Sequence, residues 1–144
     1  MARYRTTVES KKTPEEAFDY LADFANAREW DPGVVEGENL TGRPLGRGSR
    51  FRLVSRIAGR RIPLEYQITA FDRPGRVEFQ ADQTALRSTD EIRFDAVDNG
   101  TSVTYAADLQ LKGPLGKLLD PFLALAFRRI GDRAAAGLQE ALNP

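Results

Sequence analysis

With no cysteine and no histidine among 144 residues, any chemistry this chain performs rests on carboxylates, hydroxyls and arginines. Disulfides, thiolate nucleophiles, Cys/His zinc sites and Ser-His or Cys-His catalytic pairs are all excluded, and neither a metal nor a cofactor is expected. The constellation that stands out is Ser88-Thr89-Asp90-Glu91-Ile92-Arg93-Phe94. In an extended strand successive side chains alternate between faces, so the face that carries Ile92 and Phe94 also carries Ser88 and Asp90. A carboxyl on an apolar face loses water, its pKa rises, and it becomes a candidate general base or acid. Asp90 is the one catalytic candidate. Against that stand a bulge that turns it outward, and simple satisfaction by Ser88, Tyr66 or water. Tyr66 and Tyr105 fall on the same face, where each phenol can meet a ligand while its ring packs, although core packing with one satisfied hydroxyl competes.

The other chemical feature is electrostatic. Arg43, Arg47, Arg50, Arg52, Arg56, Arg60 and Arg61 lie in a stretch with no acidic residue, within a chain whose 21 basic and 21 acidic residues balance. Arg50, Arg52 and Arg56 share an outward strand face, a patch that anionic headgroups or an acidic carrier protein would suit. Neutralisation by Glu36, Glu38 and Glu65 on neighbouring strands is the favoured account, with membrane contact as its alternative. No phosphate loop opens a helix and no aromatic platform accompanies the arginines, so no nucleic-acid partner is expected.

These groups need elements to hold them. Tyr4, Thr6 and Val8 alternate with polar residues as a half-buried strand does. Thr13-Pro14-Glu15-Glu16 combines an N-cap, a first-position proline and a capping-box glutamate ahead of Ala17, Phe18, Leu21 and Phe24. A second short helix runs to about Trp30, and Asp31-Pro32-Gly33 stops it. From Val34 to Leu111 the alternation predicts six antiparallel strands joined mainly by hairpins. A loop at Ala58-Gly59 sets Phe51, Leu53 and Ser55 against Tyr66, Leu64 and Ile62, with Arg52 facing Glu65 on the other side. A turn at Arg73 to Arg76 sets Ala70 and Ile68 against Phe79 and Ala81, and one at Asn99-Gly100 sets Phe94 and Ile92 against Tyr105 and Ala107. Pro63, inside a strand, predicts a bulge or a strand start nearby. After Lys112-Gly113-Pro114 a period of three to four residues, Leu118 through Ala141, predicts a long amphipathic helix. It starts either at Asp120-Pro121 or near Leu115 with Pro121 inside it.

A sheet with one apolar face needs a cover, and this helix has the apolar stripe to serve. The expected architecture is α+β: a seven-stranded curved antiparallel sheet wrapped around the C-terminal helix, with two short helices after the first strand, in one domain over 1–144. Small inward residues (Ser55, Ala70, Ala81, Ser88, Ala107, Ala126, Ala134) point to a cavity, against the alternative that Phe and Leu side chains close the gap. The predicted pocket comprises Trp30, Phe51, Leu53, Leu64, Tyr66, Ile68, Phe79, Ser88, Ile92, Tyr105, Phe122, Ala126, Phe127 and Ile130. Its expected occupant is a hydrophobic small molecule. Trp30 is either a rim residue or a loop anchor. No apolar run is long enough to span a bilayer and no apolar leader opens the chain, so a cytoplasmic monomer or homodimer is expected.

The order strand, capped helix, short helix, six strands, long helix resembles the START-like (SRPBCC) helix-grip superfamily, and within it the polyketide cyclase/dehydrase and lipid-transport group, over essentially the whole chain. The residues that carry the resemblance are 13 to 23 (Thr-Pro-Glu-Glu-Ala-Phe-Asp-Tyr-Leu-Ala-Asp), Trp30-Asp31-Pro32, Gly46-Arg47-Gly48-Ser49, 68 to 74 (Ile-Thr-Ala-Phe-Asp-Arg-Pro) and 100 to 105 (Gly-Thr-Ser-Val-Thr-Tyr). These are fold motifs and speak to architecture before activity. The resemblance implies a cavity between sheet and helix for lipids, polyketides or other apolar ligands, and only sometimes catalysis. Binding is the leading expectation. A polyketide cyclase or dehydrase using Asp90 and tyrosine hydroxyls is the second, and a membrane-docking lipid or quinone carrier the third.

Overall fold

The computed structural model describes residues 2–57 and 59–143, with side chains described throughout except at 57 and 114–124. Its elements are β1 (Ala2–Ser10), α1 (Pro14–Ala22), a 3-10 turn (Phe24–Asn26), α2 (Ala27–Trp30), β2 (Val34–Asn39), β3 (Arg50–Ile57), β4 (Arg60–Asp72), β5 (Arg76–Asp82), β6 (Leu86–Val97), β7 (Gly100–Leu111) and α3 (Pro114–Leu142). The strands form one antiparallel sheet in the order β1-β7-β6-β5-β4-β3-β2. This is the α+β helix-grip architecture expected from the sequence: α3 lies along β1 and packs on α2, and the sheet curls about it. No helix among the described residues is long and apolar enough to cross a membrane.

Local chemistry explains the element boundaries. The Thr13 hydroxyl accepts from the Glu16 N–H at 3.2 Å, and the Glu16 carboxylate accepts from the Thr13 N–H at 3.2 Å, which closes the capping box. The helix then buries Ala17, Phe18 and Leu21. Helix α3 begins at Pro114 behind Gly113, whose φ of 91° suits glycine, and runs on through Pro121, so the earlier of the two predicted starts is the one adopted.

The β3/β4 ladder has the predicted register, with Phe51, Leu53 and Ser55 opposite Tyr66, Leu64 and Ile62. Ile57 pairs with Arg60 across the expected loop, of which Ala58 lies outside the described residues. Two other registers differ from expectation. A bulge at Thr69 places Ile68, not Ala70, opposite Phe79 and turns Ala70 against Glu78, on the outer face. Phe71 takes the inner position and meets the Phe18 ring edge-to-face at 5.1 Å, a contact Ala70 is too small to make. The last hairpin turns at Asp98-Asn99, with Asn99 at φ 64°, so Ile92 faces Tyr105 and Phe94 faces Val103. That slip of two residues leaves every side chain on its predicted face.

Pro63 needs no bulge. Odd residues of β4 point their N–H away from β3, as Glu65 does in donating to the Gln83 side chain at 3.2 Å. Position 63 lies beyond the part of β4 that pairs with β5, so its missing donor costs the ladder nothing.

Two covers share the apolar face. Phe24 stacks on Phe79 at 4.0 Å and meets Tyr66 and Phe51 edge-to-face, while Phe18 does the same with Phe71 and Phe94. This aromatic plug from α1 and the 3-10 turn fills one end of the sheet's concavity. Only the other end is left for α3 to roof.

Candidate functional site

Along β6 the burial alternates as expected: Leu86, Ser88, Asp90, Ile92 and Phe94 are buried, and the residues between them are not. Asp90 therefore points inward and is only 5% exposed. It sits between Phe79 of β5 and Ala107 of β7. The small side chain at 107, together with Ser55, Ser88, Ala126, Gly131 and Ala134, leaves a cavity of about 120 Å³ between sheet and α3. That is several times the ~10–15 Å³ one water needs. Leu64, Leu109, Phe127 and Ile130 complete its apolar wall.

A hydrogen-bonded chain crosses the polar end. Tyr66 donates to the Ser88 hydroxyl at 3.1 Å, Ser88 donates to Asp90 Oδ1 at 3.3 Å, and Tyr105 donates to Asp90 Oδ2. Burial lifts the Asp90 pKa from 3.8 to about 7; the bonds from Tyr105 and Ser88 pull against that, and the charges of Asp31 and Asp108 add to it. Burial and the neighbouring Asp90 carboxyl push both phenols well above their usual range.

A second carboxyl opens on the same cavity. Asp31 ends α2, and its Oδ1 accepts from the Gly33 N–H at 2.8 Å in the turn that leads to β2. Burial raises its pKa to about 6, opposed by that hydrogen bond. Arg56 lines the cavity as well, at an exposed position. Two weak acids in an apolar enclosure, Asp90 held by hydroxyls and Asp31 by a backbone N–H, can hold or release a proton near neutral pH.

Of the residues predicted for the pocket, Leu64, Tyr66, Ser88, Tyr105, Ala126, Phe127 and Ile130 line the cavity, and so does Asp90, the catalytic candidate. Phe51, Leu53, Ile68, Phe79 and Ile92 point inward but are fully packed in the core, because the plug from α1 and the 3-10 turn occupies their end. Trp30 is an anchor and not a rim: it is buried, with its ring edge-to-face against Tyr105 at 5.7 Å. The Phe122 side chain lies outside the described residues. Sequence reasoning missed Tyr4, Asp31, Gly33, Arg56, Leu109 and Gly131 as wall residues. For Tyr4 and Leu109 the alternation of their strands was a usable signal. Asp31 and Gly33 sit in a turn, where no periodicity tells which way a side chain faces.

The arginine stretch is partly neutralised. Arg43 pairs with Asp23 at 2.9 Å, Arg50 with Glu65 at 3.8 Å and Arg61 with Glu36 at 4.0 Å, while Arg47, Arg52, Arg56 and Arg60 make no ion pair among the described residues.

Three solved structures show the same fold at low identity. A START superfamily protein from Mycobacterium smegmatis has a TM-score of 0.79 at 16% identity, covering 99% of this chain and 97% of its own. A protein of Thermus thermophilus has a TM-score of 0.78 at 19% identity, with 98% and 95% covered. The Zhui aromatase/cyclase of Streptomyces sp. R1128 has a TM-score of 0.73 at 16% identity, with 97% and 90% covered. No curated protein matches the sequence. The family model for polyketide cyclase/dehydrase and lipid transport matches residues 1–143. With that match across nearly its full length and the START fold beneath it, this chain belongs to the polyketide cyclase/dehydrase and lipid transport family.

Proposed function

We propose that the chain binds a hydrophobic small molecule carrying one polar group, seated between the sheet and α3 with that group at Asp90. The observation that carries this reading is the cavity itself: an apolar wall closed at one end by a buried carboxyl and three hydroxyls. An interior of this kind is otherwise expensive, since the desolvated Asp90 works against folding at neutral pH. A ligand that satisfies the polar end is what would compensate it. Family membership supports an apolar occupant.

Purifying the protein from its own host and recording native mass spectra, followed by denaturing extraction, tests the proposal. One apolar molecule per chain is the expected result. Empty protein that also retains nothing from a host lipid extract would overturn it.

A second reading, acid–base catalysis on a polyketide-like substrate, is favoured by one specific feature: Asp90 has its pKa near neutral pH and Tyr105 bonded to it at the cavity wall. Such a carboxyl suits removal of a proton beside a carbonyl, the step that aldol cyclisation shares with dehydration. Asp90→Asn is its test. Activity on a poly-β-ketone surrogate should fall on the order of 100-fold, and unchanged turnover would remove the reading.

A further inference from the structure

The hydrogen-bonding capacity of the cavity is lopsided. Tyr66 spends its hydroxyl hydrogen on Ser88, Ser88 and Tyr105 spend theirs on Asp90, and Tyr4 donates to Asp132 Oδ1 at 2.9 Å. Asp31 uses one oxygen for the Gly33 N–H, and its other oxygen has no hydrogen-bond partner among the described residues. What remains for an entering molecule is mostly acceptor: the second oxygen of Asp31 and lone pairs on Tyr105, Tyr66 and Asp90, against the Ser55 hydroxyl as the one side-chain O–H among the described lining residues not already donated.

The charges agree. Two carboxyls face the cavity, and the one cation among its described lining residues, Arg56, is solvent-exposed. Water screens an exposed guanidinium, whereas the carboxyls are withdrawn from that screening. A ligand carboxylate would meet two acids of its own sign. A neutral carbonyl would find few free donors.

We infer that the cavity takes an apolar amine, its ammonium group held by Asp31 and Asp90 and its hydrocarbon part against Leu64, Leu109, Phe127 and Ile130. This rests on the binding reading above and names the ligand class for the same site. A cation supplies the donors the cavity lacks, and it converts the desolvated carboxyls into paired ones.

The test compares three molecules of one shape: benzylamine, benzyl alcohol and benzoate, titrated by calorimetry into the wild type and into Asp31→Asn. Asparagine keeps the oxygen that accepts from the Gly33 N–H, so the turn is preserved, and a melting temperature no lower than that of the wild type checks this. Benzylamine should bind at least tenfold more tightly than benzyl alcohol, with benzoate weakest. Asp31→Asn should weaken benzylamine about tenfold and leave benzyl alcohol within twofold. Equal affinity for amine and alcohol, preference for benzoate, or an amine affinity indifferent to Asp31→Asn would each overturn the inference while leaving a binding cavity. Failure of all three molecules to bind would take the binding reading down with it.

Discussion

Gly137→Ala should destabilise the protein by about 2–3 kcal/mol, opposite in sign to what the same change does in an ordinary helix. Alanine in place of an interior helical glycine gains about 1 kcal/mol through propensity alone. At 137, however, the added methyl would lie 1.8 Å from the Trp30 carbonyl oxygen and 2.9 Å from its carbon. Those are backbone atoms, so no side-chain rotation relieves the overlap, and α3 must back away from α2. Retreat loosens Ala134, Leu138 and Leu142, all buried on that face of α3. It also shifts Ile130 and Ala134 in the cavity wall, so ligand affinity should fall with stability. Gly46→Ala is the control, since a methyl there meets nothing within 4 Å and should change stability by less than about 0.5 kcal/mol. Urea unfolding of the two variants beside the wild type reads the comparison. A Gly137→Ala protein as stable as the wild type, or more so, would mean that α3 does not press on Trp30 in solution.

That contact also shows where sequence reasoning reached its limit. Alternation reports which face of a strand a residue occupies, and it placed Ser88, Asp90, Tyr66 and Tyr105 on the inner face with Ile92 and Phe94. It does not report what covers that face. Phe51, Ile68, Phe79 and Ile92 satisfy the same period as Leu64 and Asp90, yet Phe18 and Phe24 seal their end while α3 roofs the other. The β3/β4 register was legible because a two-residue loop, an apolar pairing and the Arg52–Glu65 opposition all agree. The bulge at Thr69 was not legible, because what it accommodates is the contact between Phe71 and Phe18, 53 positions away in sequence. The two-residue slip at Asp98-Asn99 was invisible for a different reason: parity is unchanged, so the apolar pattern is the same in both registers. Asp31 was read as a turn former. The cap it gives Gly33 explains that role fully, and only the packing of α2 against α3 turns it toward the cavity.

Asp90→Asn should make stability at alkaline pH higher and its pH dependence flatter. The sign follows from the proton count. Unfolded, the Asp90 carboxyl titrates near 3.8; folded, it holds its proton to about 7. Well below pH 3.8 both states are protonated and the residue costs nothing. As pH rises toward 7 the unfolded state sheds a proton that the folded state retains, so stability falls, by up to about 1.4 kcal/mol per pH unit, and then levels off. Asparagine does not titrate, keeps an oxygen for the Tyr105 hydroxyl, and offers an N–H₂ to Ser88. The advantage of the variant over the wild type should therefore widen by about 2–3 kcal/mol between pH 5 and pH 8. Asp31, raised to about 6, imposes a slope of the same sign on both proteins and largely cancels from the difference. Denaturant midpoints at the two pH values measure the widening. A constant difference would mean that water reaches Asp90 and keeps it ionised, and the cavity would then offer an incoming amine a hydrated carboxylate instead of a buried acid waiting for a counter-charge.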